Sequence, residues 1–94
     1  MHILRLDGFE WDPAKAASNL KKHGVSFVDA AVSLTDPHAV TIDDPDAEEE
    51  RYIALAASPT GVLLVTVYCY VATRIRIISS RRASPGERKS YEEP

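Results

Sequence analysis

The stretch VLLVTVYCYVATRIRIISSR, residues 62–81, decides the fold. Residues 62–70 are rich in β-branched and aromatic side chains and read as a buried strand. Ala72 and Thr73 read as a tight turn. Residues 74–81 read as a second strand, in which arginine and isoleucine alternate faces. Two strands joined by so short a turn must be antiparallel neighbours. Working backwards, Pro59, Thr60 and Gly61 mark another hairpin turn, and residues 51–58 a third strand. Residues 38–42 supply a short fourth. Between them, residues 43–50 hold Pro45 and six acidic side chains, a solvated loop.

Outside this meander the sequence predicts helices. In WDPAKAASNLKKHG, Asp12 is an N-cap and Pro13 suits the first helical position. The alanines favour helix. Lys21, Lys22 and His23 suit its negative end, and Gly24 suits the left-handed residue that closes it. Ser26 then caps a second helix, whose Phe27, Ala30, Ala31 and Leu34 repeat at helical spacing. At the far end Ser84, Pro85 and Glu87 form a capping-box signature for a third helix. Residues 1–12 read as a short strand with a turn at Asp7-Gly8. Trp11 is expected in the core or at the helix start. The expected fold class is α+β, with all 94 residues in one domain. It is a small antiparallel sheet, a meander of three to four strands plus a short N-terminal strand. Two N-terminal helices and one C-terminal helix are segregated to one face or end of it.

Composition sets the outer limits. A hydrophobic fraction of 45% and a charged fraction of 27% suit a folded domain. No apolar run approaches a membrane span, and the N-terminus carries no signal-peptide pattern. Cys69 is the only cysteine, so neither an internal disulfide nor a cysteine-based zinc site is expected. His2, His23 and His38 are too scattered for a metal motif. No metal and no cofactor is expected, and the location is expected to be cytoplasmic.

The net charge of −3 conceals a division. Residues 1–50 carry four basic and eleven acidic side chains, and residues 51–94 carry seven and three. A polyanion needs a local positive field, not a positive total. From Arg74 to Lys89 there are six basic residues and one acidic residue. Strand parity puts Ile75 and Ile77 in the core and projects Arg74 and Arg76 from the open face. Arg81 and Arg82 stand at the strand's end. The third helix adds Arg88, Lys89 and an N-terminus that favours anions. Guanidinium matches phosphate bidentately, which lysine does not. A solvated strand face remains the commoner meaning of such arginines.

Three further groups have the right chemistry. Histidine exchanges protons near neutral pH, so His23 is a candidate base, against a plain helix-end role. Tyr91 is a candidate proton carrier, against a packing role. Glu50 and Arg51 are placed to pair across to the arginines, against an ordinary surface pair.

The segments FEWDPAKAASNLKKHGVSFVDAA and RIRIISSRRASPGERKSYEE resemble the BrnT toxins of bacterial type II toxin–antitoxin systems, from Phe9 to Glu93. Asp36-Pro37 and Glu50-Arg51 also fit. The resemblance implies a fold like that of RelE-type ribonucleases and RNA cleavage that slows translation and growth. It implies a neutralising BrnA-type antitoxin with a ribbon-helix-helix domain, and operon repression, with operator DNA reached only through that complex. Arg76 and Arg81 would then stabilise the transition state, with Lys22 or His23 as base or clamp and Tyr91 as proton carrier. Arg74, Arg82, Arg88, Lys89 and Arg51 would hold RNA, and Tyr70 would stack on a base. One departure is the stretch CYVAT at residues 69–73, where family members often have a charged turn. Tyr70 there fits either base stacking or an antitoxin contact. Two other readings are a catalytically weak module that serves as antitoxin partner and co-repressor, and an unrelated α+β interaction domain.

Overall fold

The computed structural model describes residues 4–6 and 8–93. His2 and Asp7 lie outside the described residues, and with them half of the expected Asp7-Gly8 turn. In chain order the elements are β1 (Leu4–Leu6), β2 (Phe9–Trp11), α1 (Pro13–His23), α2 (Phe27–Ser33), β3 (Val40–Asp43), β4 (Tyr52–Ala57), β5 (Leu63–Val71), β6 (Arg74–Arg82) and α3 (Pro85–Glu92). They form one sheet of order β1-β2-β6-β5-β4-β3.

The expected meander is present as β3 to β6, antiparallel throughout. Ala72 takes the positive φ of 54° that its tight turn demands, and Gly61 takes 83° in the preceding hairpin. The caps form as their sequences require. The Asp12 carboxylate accepts from the Ala14 N–H, the Ser26 hydroxyl accepts from the Asp29 N–H, and Gly24 closes α1 at φ 69°. Ser84 and Glu87 complete a reciprocal capping box on α3.

Three expectations change. The N-terminal segment is two strands, not one, with β1 antiparallel to β2. β2 then runs parallel to β6, pairing Phe9 with Ile75 and Glu10 with Arg76, so the sheet is mixed. Local periodicity does not say which distant strand a segment will join. The helices also do not share a face. Phe27, Ala30 and Ala31 of α2 pack on Ala54, Tyr68 and Ile77, with Trp11 edge-on to Phe27 at 6.2 Å between ring centres. α3 crosses the other face, where Glu87 and Ser90 overlie Ile53, Leu55 and Val65. An apolar stripe on both faces of the central strands requires cover on both.

A bulge in β6 sets the arginine geometry. Tyr68 pairs with Ile77 and Val67 with Ser79, leaving Ile78 without a partner. The extra residue reverses the alternation beyond it. Arg81, opposite Val65, therefore shares a face with Arg76, opposite Cys69. Arg82, opposite Leu64, turns to the α2 side, where it borders a cleft with Val25 and Asp29.

Candidate functional site

β2 leaves β6 after Arg76, and the exposed edge of β6 beyond that point is taken over by α1. The contact is made by Asn19, which is buried. Its amide nitrogen donates to the Ser80 carbonyl at 2.8 Å and the Val25 carbonyl at 3.0 Å. Its amide oxygen accepts from the Ser80 N–H at 3.1 Å. One side chain thus gives β6 the donor and acceptor that a neighbouring strand would supply. One helical turn further on, the same face of α1 presents His23.

His23 stands between two open clefts. One, of about 420 Å³, brings it together with Ser79, Arg81 and Glu87 over a floor that includes Val65 and Val67. The other, of about 220 Å³, joins it to Lys15, Lys22 and Ser79. Lys15 and Lys22 of α1 and Arg81 at the end of β6 therefore border two clefts that meet at His23 and Ser79. This is an arrangement suited to gripping and polarising a phosphodiester.

Within the cleft Arg81 is held by Glu87 in a two-pronged pair, with both N–H···O distances 2.8 Å. Glu87 also accepts from the Ser84 N–H at 2.8 Å. The Arg81 hydrogen bonds first, then the Ser84 amide, hold its carboxyl down at about 2. Arg81 is raised in turn, with the Glu87 hydrogen bond as the main cause.

Arg76 and Arg74 are organised by a different carboxylate. Glu10, only 1% exposed, accepts from Arg76 Nε at 2.8 Å and from its terminal nitrogen at 2.6 Å. Arg74 donates to the Phe9 carbonyl at 2.8 Å. Its Nε lies 3.5 Å from Glu10 and makes no hydrogen bond. The expected free projection of these two arginines is therefore corrected: β2 lies beside them and presents a buried acid. Arg76 and Arg81 share a face but are about 15 Å apart along the strand, and Arg76 does not border the His23 cleft.

The other candidates scatter. Tyr91 donates to Asp36 at 2.5 Å, at the far end of α3, so it does not border the His23 clefts. Arg88 pairs with Glu92 on α3 at 3.9 Å, and Lys89 is exposed on the same helix. Arg51 faces the acidic loop beside Asp46, Glu48 and Glu49. Glu50 is taken by the Tyr52 hydroxyl at 2.6 Å, which pushes that phenol up to about 12. Neither Glu50 nor Arg51 reaches the β6 arginines by these contacts. Tyr70, 57% exposed, sits edge-on to Tyr52 and Tyr68 at 5.7 and 5.9 Å between ring centres. That cluster is on the α2 face, away from the cleft.

Sequence reasoning passed over Glu10, Asn19, Lys15, Ser79 and the intramolecular role of Glu87. Two of these carried a signal. Glu10 is an acid between Phe9 and Trp11, an unusual neighbourhood for a solvated charge. Asn19 is a poor helix former in the middle of a good helix.

The carboxylates that hold α3 predict its pH range. Glu87 lies below its ordinary 4.5 when folded, so its contribution is complete above the unfolded value and is lost as pH falls through about 2. Tyr91 is raised by its hydrogen bond to Asp36, so its contribution is complete below the ordinary value of 10 and is lost as pH rises past it. The backbone amide signals of Ser84 and Glu87, followed by NMR in an acid titration, should move with a midpoint near 2. A midpoint at or above 4.5 would refute the Arg81–Glu87 geometry.

Among the described residues no helix is long and apolar enough to cross a membrane. No group of three or more His, Cys, Asp or Glu side chains among them is placed to hold a metal. None of the curated proteins matches the chain. The crystal structure of the Brucella abortus ribonuclease toxin BrnT is similar to it, with a TM-score of 0.60 and 25% identity, over 79% of this chain and 92% of that one. Residues 11–87 match the family described as the ribonuclease toxin BrnT of type II toxin–antitoxin systems. That match takes in α1, the whole meander, and both Arg81 and Glu87, so the chain belongs to the BrnT family of ribonuclease toxins.

Proposed function

We propose that this chain is a metal-independent endoribonuclease that cuts RNA at the His23–Arg81 cleft. The observation that carries the reading is the convergence of His23, Lys15, Lys22 and Arg81 around Ser79. In RNA cleavage the ribose 2′-oxygen attacks phosphorus as its proton leaves. The 5′-oxygen departs and takes up a proton, which leaves a cyclic phosphate. His23 is the group of the right chemistry to move those protons. Arg81, with Lys22 in the adjoining cleft, opposes the charge that builds on the phosphorane. Cationic side chains fill the electrostatic role, so the reading needs no metal ion. Arg76 and Arg74, set by Glu10, hold a neighbouring phosphate along the same face. Tyr91 anchors α3 in this reading.

The family supports the wider setting: cleavage that arrests translation and growth, and a BrnA-type ribbon-helix-helix antitoxin that neutralises the toxin. The complex would repress its own operon. A fold related to RelE-type ribonucleases belongs to the same reading. The test is induction without the antitoxin. The wild type should arrest growth and degrade RNA, while Arg76→Ala/Arg81→Ala, at equal soluble level, should do neither. Undiminished arrest by the double variant would overturn the assignment.

One observation favours a second reading. Arg76 and Arg81 are each already paired with a carboxylate, as befits a catalytically weak binding module. Normal growth and intact RNA on induction of soluble wild type would select it.

A further inference from the structure

The Arg81 fork is occupied. Guanidinium accepts a carboxylate and a phosphodiester in the same two-pronged geometry, and here the carboxylate of Glu87 fills it at 2.8 Å on both arms. The two side chains border one cleft with His23 and Ser79, so the acid stands where an RNA phosphate would have to sit. The helix that carries Glu87 is lightly attached. No residue of α3 is buried. Beneath it runs an apolar trough of about 280 Å³ lined by Val40, Ile42, Ile53, Leu55 and Val65, to which α3 contributes only Glu87 and Ser90. Ile42 is 58% exposed, so the helix does not seal the trough. The attachments at its two ends are polar: the Arg81–Glu87 pair and the Tyr91–Asp36 hydrogen bond. A helix held in this way can be displaced without opening the core around Phe27.

We propose that Glu87 is a built-in phosphate mimic: it occupies the Arg81 fork in the free protein, and RNA must displace it before Arg81 engages a phosphate. The inference rests on the reading of the cleft given above and adds its regulation. The resting site is self-inhibited, and anything that draws α3 away from β6 activates it.

The test measures binding of a short single-stranded 2′-O-methyl oligoribonucleotide, which lacks the attacking hydroxyl and stays intact. Glu87→Gln removes the charge and keeps the capping box, because glutamine serves at that position as well as glutamate. It should bind about fivefold tighter than wild type, in line with the loss of a partly exposed ion pair. Its affinity should also fall more steeply with salt, by up to about 0.7 in logarithmic slope. Arg81→Ala should bind more weakly than wild type, and adding Glu87→Gln to it should restore nothing. Glu93→Gln takes the same charge from the end of α3 without touching Arg81 and should leave affinity at the wild-type value. If Glu87→Gln binds no tighter while Arg81→Ala is impaired, Glu87 positions Arg81 and the proposal falls alone. An equal gain from Glu93→Gln makes the effect one of general charge and also overturns it. If Arg81→Ala binds as well as wild type, the reading of the cleft fails first and the mimic with it.

Discussion

Replacing Asn19 with leucine should destabilise the protein by about 3–5 kcal/mol. The side chain is nearly isosteric, so little volume is lost. What is lost is a donor to the Ser80 carbonyl, a donor to the Val25 carbonyl and an acceptor for the Ser80 N–H. All three backbone groups lie where α1 has excluded water, and each unsatisfied group costs about 1–3 kcal/mol. For a chain of this size the loss corresponds to a fall in melting temperature of about 20 °C. It is a large share of the whole stability expected of such a domain. Asn19→Asp keeps the acceptor for the Ser80 N–H but sets a buried carboxylate oxygen against the Ser80 and Val25 carbonyls, so it should be at least as destabilising as leucine. Urea denaturation of the three proteins checks the order. If the leucine variant unfolds within about 1 kcal/mol of wild type, water has replaced the amide and the strand-mimic account is wrong.

The same residue shows what the sequence can and cannot reveal. Asp12, Pro13, Gly24, Ser26, Ser84 and Glu87 could be read in advance, because a helix cap is a local transaction between neighbours in the chain. The hairpins at Gly61 and Ala72 were legible for the same reason. Asn19 acts on Ser80, sixty-one positions away, and no local pattern announces that. The parallel pairing of β2 with β6 is equally remote, and it brought Glu10 against Arg74 and Arg76. Parity counted along Arg74 to Arg82 predicts that Arg82 shares the face of Arg76. The unpaired Ile78 puts Arg81 there instead. One inserted residue reverses every later assignment. The candidate site was therefore half visible. His23, Lys22 and Arg81 could be named by residue type, whereas their convergence around Ser79, and the acid already lodged among them, depend on contacts across the sheet.

Replacing His23 with alanine should reduce RNA cleavage by about 10²–10⁴-fold, the range for loss of a positioned general acid or base. The fold should survive. His23 is only partly buried, at the last residue of α1, and the Asn19 bonds that fix that helix to β6 lie one turn away. Its favourable interaction with the helix end is worth about 0.3–1 kcal/mol, too little to unfold the domain. Lys22→Ala provides the comparison, since it removes a charge from the neighbouring cleft and no proton-transfer group; its loss should be smaller and should shrink further in high salt. The decisive readout is rescue. Imidazole added to His23→Ala should restore part of the cleavage if the missing function is proton transfer, and should leave Arg81→Ala unchanged, because a diffusible base cannot replace a fixed cation. A His23→Ala protein that cleaves within threefold of wild type, or one that imidazole does not help although its melting curve is unaltered, would remove His23 from the chemistry. The cleft would then remain a purely electrostatic grip.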